Sequence, residues 1–336
     1  MHYFLGIDVG GTKTHALIAD ETGATIGLGK AGAGNHEGVG YAGLAEAMKL
    51  ATDVALDRAE ISPRQIAGAG FGLGGYDWPS ELLPTLEAIG KIGLENAKVE
   101  VVNDAMIGLM AGASQGWGIA VVSGTGCNCW GRDRHHHIGH VTGMGGWMAE
   151  ASGAGELVLE ALGKVSRAWS KRGAETALAQ GFMDLTGAQN VEALLEGITQ
   201  ETLHVNASAA RMVFAVAAEG DAVAQGVIRW AGESLADLAC GVIRQLNFEQ
   251  ERFEVVMVGS LFNGGARLID PFQGGVLKLA PGATFVRLDA PPVVGGVLLG
   301  MEAAGLEQAN TLREKLVQST RSYLQRYNEE ISGQEN

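Results

Sequence analysis

Cysteine is scarce in this chain, three in 336 residues. An odd, sparse set excludes a disulfide framework, and with no leader-like segment it predicts a reducing, cytoplasmic setting. Long apolar runs are absent as well, none approaching the ~20 residues that cross a bilayer, so no membrane association is expected. Positive charge is in deficit, with 24 Lys and Arg against 38 Asp and Glu, and aromatics make up only 6%. Without a basic, aromatic-bearing surface, nucleic acid is excluded as a partner. What the chain does have is glycine, 51 residues, and an apolar content of 46%. That is enough for two cores, and the length predicts two domains with a ligand cleft between them.

The glycines are placed at the ends of strand-like runs. Residues 3–9 are apolar and β-prone, residues 14–19 resume that character, and between them stands Gly10-Gly11-Thr12-Lys13. Glycine there lets backbone N–H groups approach a polyphosphate, Thr12 and Lys13 add a donor and a charge, and Asp8 can hold Mg²⁺ through water. An ordinary hairpin turn would use the same glycines. The stretch is not a Walker loop, because Thr12 precedes Lys13 and a strand follows instead of a helix. Gly70-x-Gly72-x-x-Gly75 formally satisfies the dinucleotide pattern, but in a segment so rich in glycine the match carries little weight.

Further along, helix and strand patterns alternate: a helix over 39–59, a strand over 66–72, a helix begun near Trp78-Pro79-Ser80, a strand over 99–102 and a helix over 105–113. The pattern then restarts. A strand over 118–122 ends in Ser123-Gly124-Thr125-Gly126, and residues 129–140 can form a return hairpin. Helices are expected over 153–172, 191–198, 207–218 and 223–246, then a buried strand over 253–258 ending at Gly259-Ser260. Closing helices are expected over 293–304 and 308–329. The turn Leu261-Phe262-Asn263-Gly264-Gly265 offers small side chains on which an adenine can rest, or else a plain strand-to-helix turn.

The order of these motifs resembles the actin, hexokinase and Hsp70 superfamily of ATPases: Asp-x-Gly-Gly-Thr-Lys, a strand ending in Asn103-Asp104, Gly124-Thr125-Gly126, then Val-Gly259-Ser260. Within it, Gly34-Asn35-His36, Gly124 to Cys129, residues 143–154 and Ala217-Ala218-Glu219-Gly220-Asp221 resemble the N-acetylglucosamine kinase branch. The resemblance implies an α/β fold of two ribonuclease H-like, actin-like ATPase domains around a central cleft. Residues 1–115 would form the first, with the C-terminal helix near 306–330 packing back on it, and residues 116–305 the second.

It also implies an ATP- and Mg²⁺-dependent kinase acting on a small amino sugar, and it suggests a homodimer. ATP and Mg²⁺ fall to Asp8, Gly10, Gly11, Thr12, Lys13, Gly124, Thr125, Gly126, Ala218, Gly259, Ser260, Asn263 and Gly264. The sugar falls to Asn35, Asn103, Cys127, Asn128, Gly143, Met144, Gly145 and Glu150, and Asp104 is the base toward the acceptor hydroxyl. A carboxylate suits that role because an alcohol must lose a proton as it is phosphorylated. Asn103-Asp104 could equally cap the helix that follows. Relatives carry aspartate where Glu150 stands and serine at Cys127, which leaves the exact sugar open. Two other classes remain: an ATPase activator of 2-hydroxyacyl-CoA dehydratases, whose cluster-binding cysteine pairs are not evident here, and a sugar sensor without turnover. His135, His136, His137 and His140 near Cys127 and Cys129 could suggest zinc, but strand alternation splits them between faces.

Overall fold

The computed structural model describes residues 2–306 and 310–334. The first half opens with a three-stranded meander, β1 (Tyr3–Val9), β2 (Thr14–Asp20) and β3 (Thr25–Ala31), followed by α1 (His36–Ala59), β4 (Ile66–Leu73), α2 (Leu82–Gly90), β5 (Lys98–Asn103) and α3 (Asp104–Gly112). The sheet order is β3-β2-β1-β4-β5. β1 pairs antiparallel with β2 and parallel with β4, and β4 pairs parallel with β5. Helix α1 starts at His36, three residues earlier than the sequence pattern suggests. The side-chain oxygen of Asn35 accepts the Glu37 N–H at 2.9 Å, and the helix is interrupted at Gly40.

The second half repeats this plan. β6 (Gly118–Ser123), β7 (Cys127–Arg132) and β8 (Ile138–Val141) lead into α4 (Ala154–Trp169), α5 (Leu178–Thr186), α6 (Val191–Thr199), α7 (Ala210–Ala218) and α8 (Ala222–Gln245). Then come β9 (Phe253–Val258), α9 (Ala266–Leu279) and β10 (Ala283–Arg287), and the chain closes with α10 (Val293–Ala303) and α11 (Asn310–Gln334). The second sheet runs β10-β9-β6-β7-β8. Read from β8, that is the order of the first sheet, with β6 in the place of β1 and β9 in the place of β4. Helix α5 and strand β10 have no counterpart in the sequence reading, and α9 follows the strand-to-helix turn read at 261–265. The closing helix expected from Gln308 is seen from Asn310, residues 307–309 lying outside the described part. Among the described residues no helix is long and apolar enough to cross a membrane.

The chain divides into two compact units, residues 1–120 with 286–336, and residues 121–285. Sequence reading had put 293–304 in the second domain, whereas α10 belongs to the first unit. The reason is close packing of glycines. A Cβ on Gly68 would lie 2.0 Å from the Gly300 carbonyl oxygen, and one on Gly70 would lie 2.2 Å from that of Gly296. The dinucleotide-like glycines of β4 are therefore the surface on which a buried helix lies against the sheet. The last four residues of the stretch 290–296 form the first turn of this buried helix. Helix α11 packs on β3, where the hydroxyls of Thr25 and Thr320 meet at 2.9 Å and Ser319 Oγ accepts the Thr25 N–H.

Candidate functional site

In the first unit the turn after β1 is closed by the Gly10 N–H donating to the Lys13 carbonyl at 2.9 Å. The Gly10 carbonyl accepts from the N–H groups of Gly34 and Asn35 at 3.1 and 3.3 Å, which ties Asn35 to the turn. Gly11, Thr12 and Lys13 are exposed. A Cβ on Gly11 would meet nothing within 4 Å, and its φ is not in the left-handed region. Folding alone therefore does not require glycine at 11. The same holds for Gly124 and Gly126.

Asp8, His15 and Lys30 stand in register across β1, β2 and β3. Among the described residues only His15 approaches the Asp8 carboxylate, Nδ1 to Oδ2 at 3.9 Å. One half-buried carboxylate at the end of β1 suits Mg²⁺, which keeps most of its waters and takes one or two carboxylates together with substrate phosphates. Lys30 was missed by sequence reasoning. Its ammonium is easier to deprotonate than usual, first through burial and then through Lys13 and Arg58, so Lys30 lies within the field of two further cations in an acidic protein.

Below this turn the first unit assembles a polar corner. Gly74 and Gly75 follow β4, and a Cβ on Gly75 would sit 2.6 Å from Asn35 Oδ1 and 3.0 Å from Glu37 Oε2. A Cβ on Gly74 would lie 3.4 Å from Asp104 Oδ2. Asn35 Nδ2 donates to Glu37 Oε2 at 3.1 Å, and His36 Nε2 is 3.5 Å from Glu81 Oε1. The helix cap is assigned to Asn103, whose Oδ1 accepts the Ala105 N–H at 2.9 Å. Asp104 occupies the first turn of α3, half-buried and not needed as the cap. Asn103 Nδ2 in turn donates to Asp77 Oδ1 at 2.9 Å. Burial, then Glu37, Asp104 and Glu81, push the Asp77 carboxyl up to about 7 against the pull of the Asn103 hydrogen bond. Glu37, Asp77 and Glu81 escaped sequence reasoning. The signal that could have found them was the glycine pair at the carboxyl end of a parallel strand, where ligands of α/β sheets gather.

In the second unit the turn Gly124–Gly126 is closed by the Gly124 N–H donating to the Gly126 carbonyl at 2.9 Å. It is held to the start of α4, whose Ala154 and Gly155 N–H groups donate to the Gly124 and Thr125 carbonyls. Beside it lies a cavity of about 540 Å³ lined by Gly124 and Thr125, by Ser260, Asn263 and Gly264 after β9, and by Arg211 and Phe214 of α7. Gly259 (φ 104°) makes this possible, since a Cβ there would fall 2.2 Å from the Ser123 carbonyl oxygen. The structure thus brings Gly124, Thr125, Ser260, Asn263 and Gly264 together. Ala218, at the far end of α7, does not line the cavity, and Arg211 and Phe214 do. Nothing in the sequence distinguished those two from other residues of an amphipathic helix.

The residues expected to meet a sugar in this unit cluster around one hairpin. Cys127 is buried, its sulfur accepting the Ser152 N–H at 3.1 Å and facing the Glu150 carbonyl at 3.4 Å. Burial first pushes its thiol up to about 11. Asn128 follows on β7, half-buried. Glu150 Oε2 accepts from Thr142 Oγ1, Gly143 N and Met144 N at 3.0, 2.7 and 3.1 Å. One carboxylate oxygen therefore holds the turn through Gly143, Met144 and Gly145, and Trp147 beyond it is 97% exposed. The histidines serve locally: Trp130 and His140 stack at 4.3 Å, and the N–H groups of His135 and His137 donate to Asp133 Oδ1. Among the described residues no three His, Cys, Asp or Glu side chains are arranged to hold a metal ion.

Comparison with known proteins places this geometry in context. The chain is 24% identical over 316 residues to the N-acetyl-D-glucosamine kinase of Dictyostelium discoideum, covering 89% of this chain and 98% of the relative. It is 23% identical over 304 residues to the N-acetylmuramic acid/N-acetylglucosamine kinase of Clostridium acetobutylicum, with the same coverage of each. A solved structure from Chromobacterium violaceum, provisionally named an N-acetylglucosamine kinase, shares the fold with a TM-score of 0.66 at 21% identity, over 89% of this chain and 99% of that one. The fold, two five-stranded mixed sheets with helices, is thus the actin-like ATPase fold of sugar kinases. Residues 5–300 match a single family throughout, and the chain is a member of the BadF/BadG/BcrA/BcrD ATPase family.

Proposed function

We propose that the protein is an ATP-dependent sugar kinase that transfers the γ-phosphoryl group of ATP to a hydroxyl of a hexosamine, with O6 of N-acetylglucosamine or glucosamine the leading acceptor. One observation carries this reading. Gly11 in the first unit and Gly124 and Gly126 in the second follow the equivalent strands β1 and β6, and at none of them does folding alone require glycine. Bare backbone that the fold does not need is what a phosphate chain requires. Family membership and the curated kinase relatives support it. So does the fold shared with a ROK glucokinase of Streptomyces griseus solved with glucose and AMPPNP.

Gly10 to Lys13 would take β- and γ-phosphate oxygens through backbone N–H groups, the Thr12 hydroxyl and the Lys13 ammonium. Gly124, Thr125 and Gly126 would form a second phosphate-binding turn, and the cavity between Ser260, Asn263, Gly264 and Phe214 would take the adenosine. Mg²⁺, held by Asp8 through water, would neutralise phosphate charge. Asp104, kept off the helix cap by Asn103, would accept the proton of the acceptor hydroxyl, with Asn35 and the 143–145 turn facing the sugar. Positioning and charge neutralisation dominate such transfers, and water must be kept from competing for the phosphoryl group.

The activator reading is disfavoured by the cysteines, all three of which are buried. A cluster shared at an interface needs paired cysteines at a surface, and none of the three is exposed. The deciding experiment is ADP release measured with glucosamine, N-acetylglucosamine, N-acetylmannosamine, N-acetylmuramic acid and glucose. A rise with one amino sugar supports the kinase. Sugar binding without ADP release would make the protein a sensor, and sugar-independent ATP hydrolysis an idle ATPase. Asp104→Ala should keep nucleotide affinity and lose transfer by about 10²–10⁴-fold. Normal turnover by that variant would remove Asp104 from its role.

A further inference from the structure

Asp77 is a buried carboxylate of the first unit with no role assigned above, 8% exposed and bonded to the residue that precedes the base. We propose that Asp77 is the positioning residue of Asp104, fixing the Asn103 amide and setting by its charge the pH at which Asp104 accepts a proton. This rests on the kinase reading of the site.

The geometry leaves the Asn103 amide one orientation. Asn103 is 1% exposed, and its Nδ2 donates to Asp77 Oδ1 at 2.9 Å and to the Tyr76 carbonyl at 3.2 Å. Both acceptors lie on one side, so Oδ1 must face α3, where it accepts the Ala105 N–H at 2.9 Å. Turning the amide over would set its NH₂ against the Ala105 N–H and its oxygen against a carboxylate and a carbonyl, losing three hydrogen bonds in a buried place. The first turn of α3, and with it the Asp104 backbone, is thereby held. Asp77 is itself held, its N–H donating to Glu81 Oε2 at 2.7 Å, and the Trp78 N–H donates to that oxygen at 2.9 Å.

The second half of the role is electrostatic. The charged groups facing Asp77 are Glu37 from α1, Asp104 from α3 and Glu81 from the turn after Trp78, with His36 close to Glu81. Burial first, and then these neighbouring charges, disfavour a negative charge on Asp77, which holds its proton up to near neutral pH. Above that point its charge makes Asp104 a stronger base. Below it, Asp77 is neutral and still accepts from Asn103 through its carbonyl oxygen. Positioning thus persists while basicity changes with pH.

The test compares Asp77→Asn and Asp77→Ala with the wild-type enzyme in sugar-dependent ADP release between about pH 5 and pH 9. An amide oxygen can still accept from Asn103, so Asp77→Asn should keep kcat within about threefold at its optimum. Its acid limb should move to lower pH, and the inflection near neutrality should vanish. Asp77→Ala frees the Asn103 amide and should lower kcat about 10²-fold, the cost of misplacing a reacting group by about 1 Å, with nucleotide KM little changed. Rescue of that loss by the amide variant separates positioning from general destabilisation. A wild-type pH profile in Asp77→Asn, or near wild-type kcat in Asp77→Ala, overturns the role of Asp77 alone. No sugar-dependent ADP release from the wild-type enzyme overturns the kinase reading, and this proposal with it.

Discussion

Replacing Asp77 by asparagine has a consequence for stability that does not depend on what the enzyme phosphorylates. In the folded protein its carboxyl is pushed up to about 7 from 3.8, by burial first and then by Glu37, Asp104 and Glu81. Between those values the native state binds more protons than the unfolded chain. Stability contributed by this group is therefore full at low pH and falls as pH rises toward 7, flattening above it. Each pH unit in that window is worth about 1.4 kcal/mol, so between about pH 5 and pH 8 the wild-type protein should lose about 2–3 kcal/mol that the amide variant keeps. For a unit of this size that is about 5–10 °C in Tm. Urea or thermal unfolding of both proteins across that range isolates the term, because all other titrating groups are common to the pair. Parallel stability curves would refute the reasoning, and would mean that Asp77 is ionised throughout.

Gly259→Ala should be severe, because the new methyl would sit 2.2 Å from the Ser123 carbonyl oxygen at a φ of 104°. A loss of about 3 kcal/mol or more, read by thermal unfolding, is expected together with weakened nucleotide binding. Glu150→Ala removes the acceptor for Thr142 Oγ1, Gly143 N and Met144 N. Faster amide exchange at 143 and 144 and earlier proteolysis near Trp147 should follow, with a stability cost of about 1–3 kcal/mol. Unchanged exchange would show that the turn holds itself. Phe214 packs its ring over Gly264 in the second-unit cavity, and a Cβ on Gly264 would lie 2.2 Å from it. Phe214→Ala should weaken a non-hydrolysable ATP analogue about three- to tenfold by calorimetry, and unchanged affinity would move the adenosine elsewhere.

How much was legible follows from how far apart the interacting residues are. The strands of both meanders, the turns at Gly10–Lys13 and Gly124–Gly126, the restart of the pattern near 118 and the Asn103-Asp104 helix start are local features, written in runs of fewer than about ten residues. Their chemistry could be read from the residues themselves. Whether Asn103 or Asp104 serves as the cap is also a local choice, yet it needed the partners of Asn103. Those partners, Tyr76 and Asp77, lie 27 and 26 residues away.

The sequence by itself determined an α/β chain with two glycine turns in equivalent places and an acid at a strand end, because strand period, glycine backbone and helix capping act between near neighbours. Tertiary structure alone decided that α10 belongs with β1 and β4, where glycine meets glycine too closely for any side chain. It alone gathered Glu37, Glu81 and Asp104 near the buried Asp77 carboxyl. It alone brought Arg211 and Phe214, rather than Ala218, to the cavity beside Thr125. Burial, and the proton affinity that burial sets, are properties of what packs around a residue, and the residues that pack here come from distant parts of the chain.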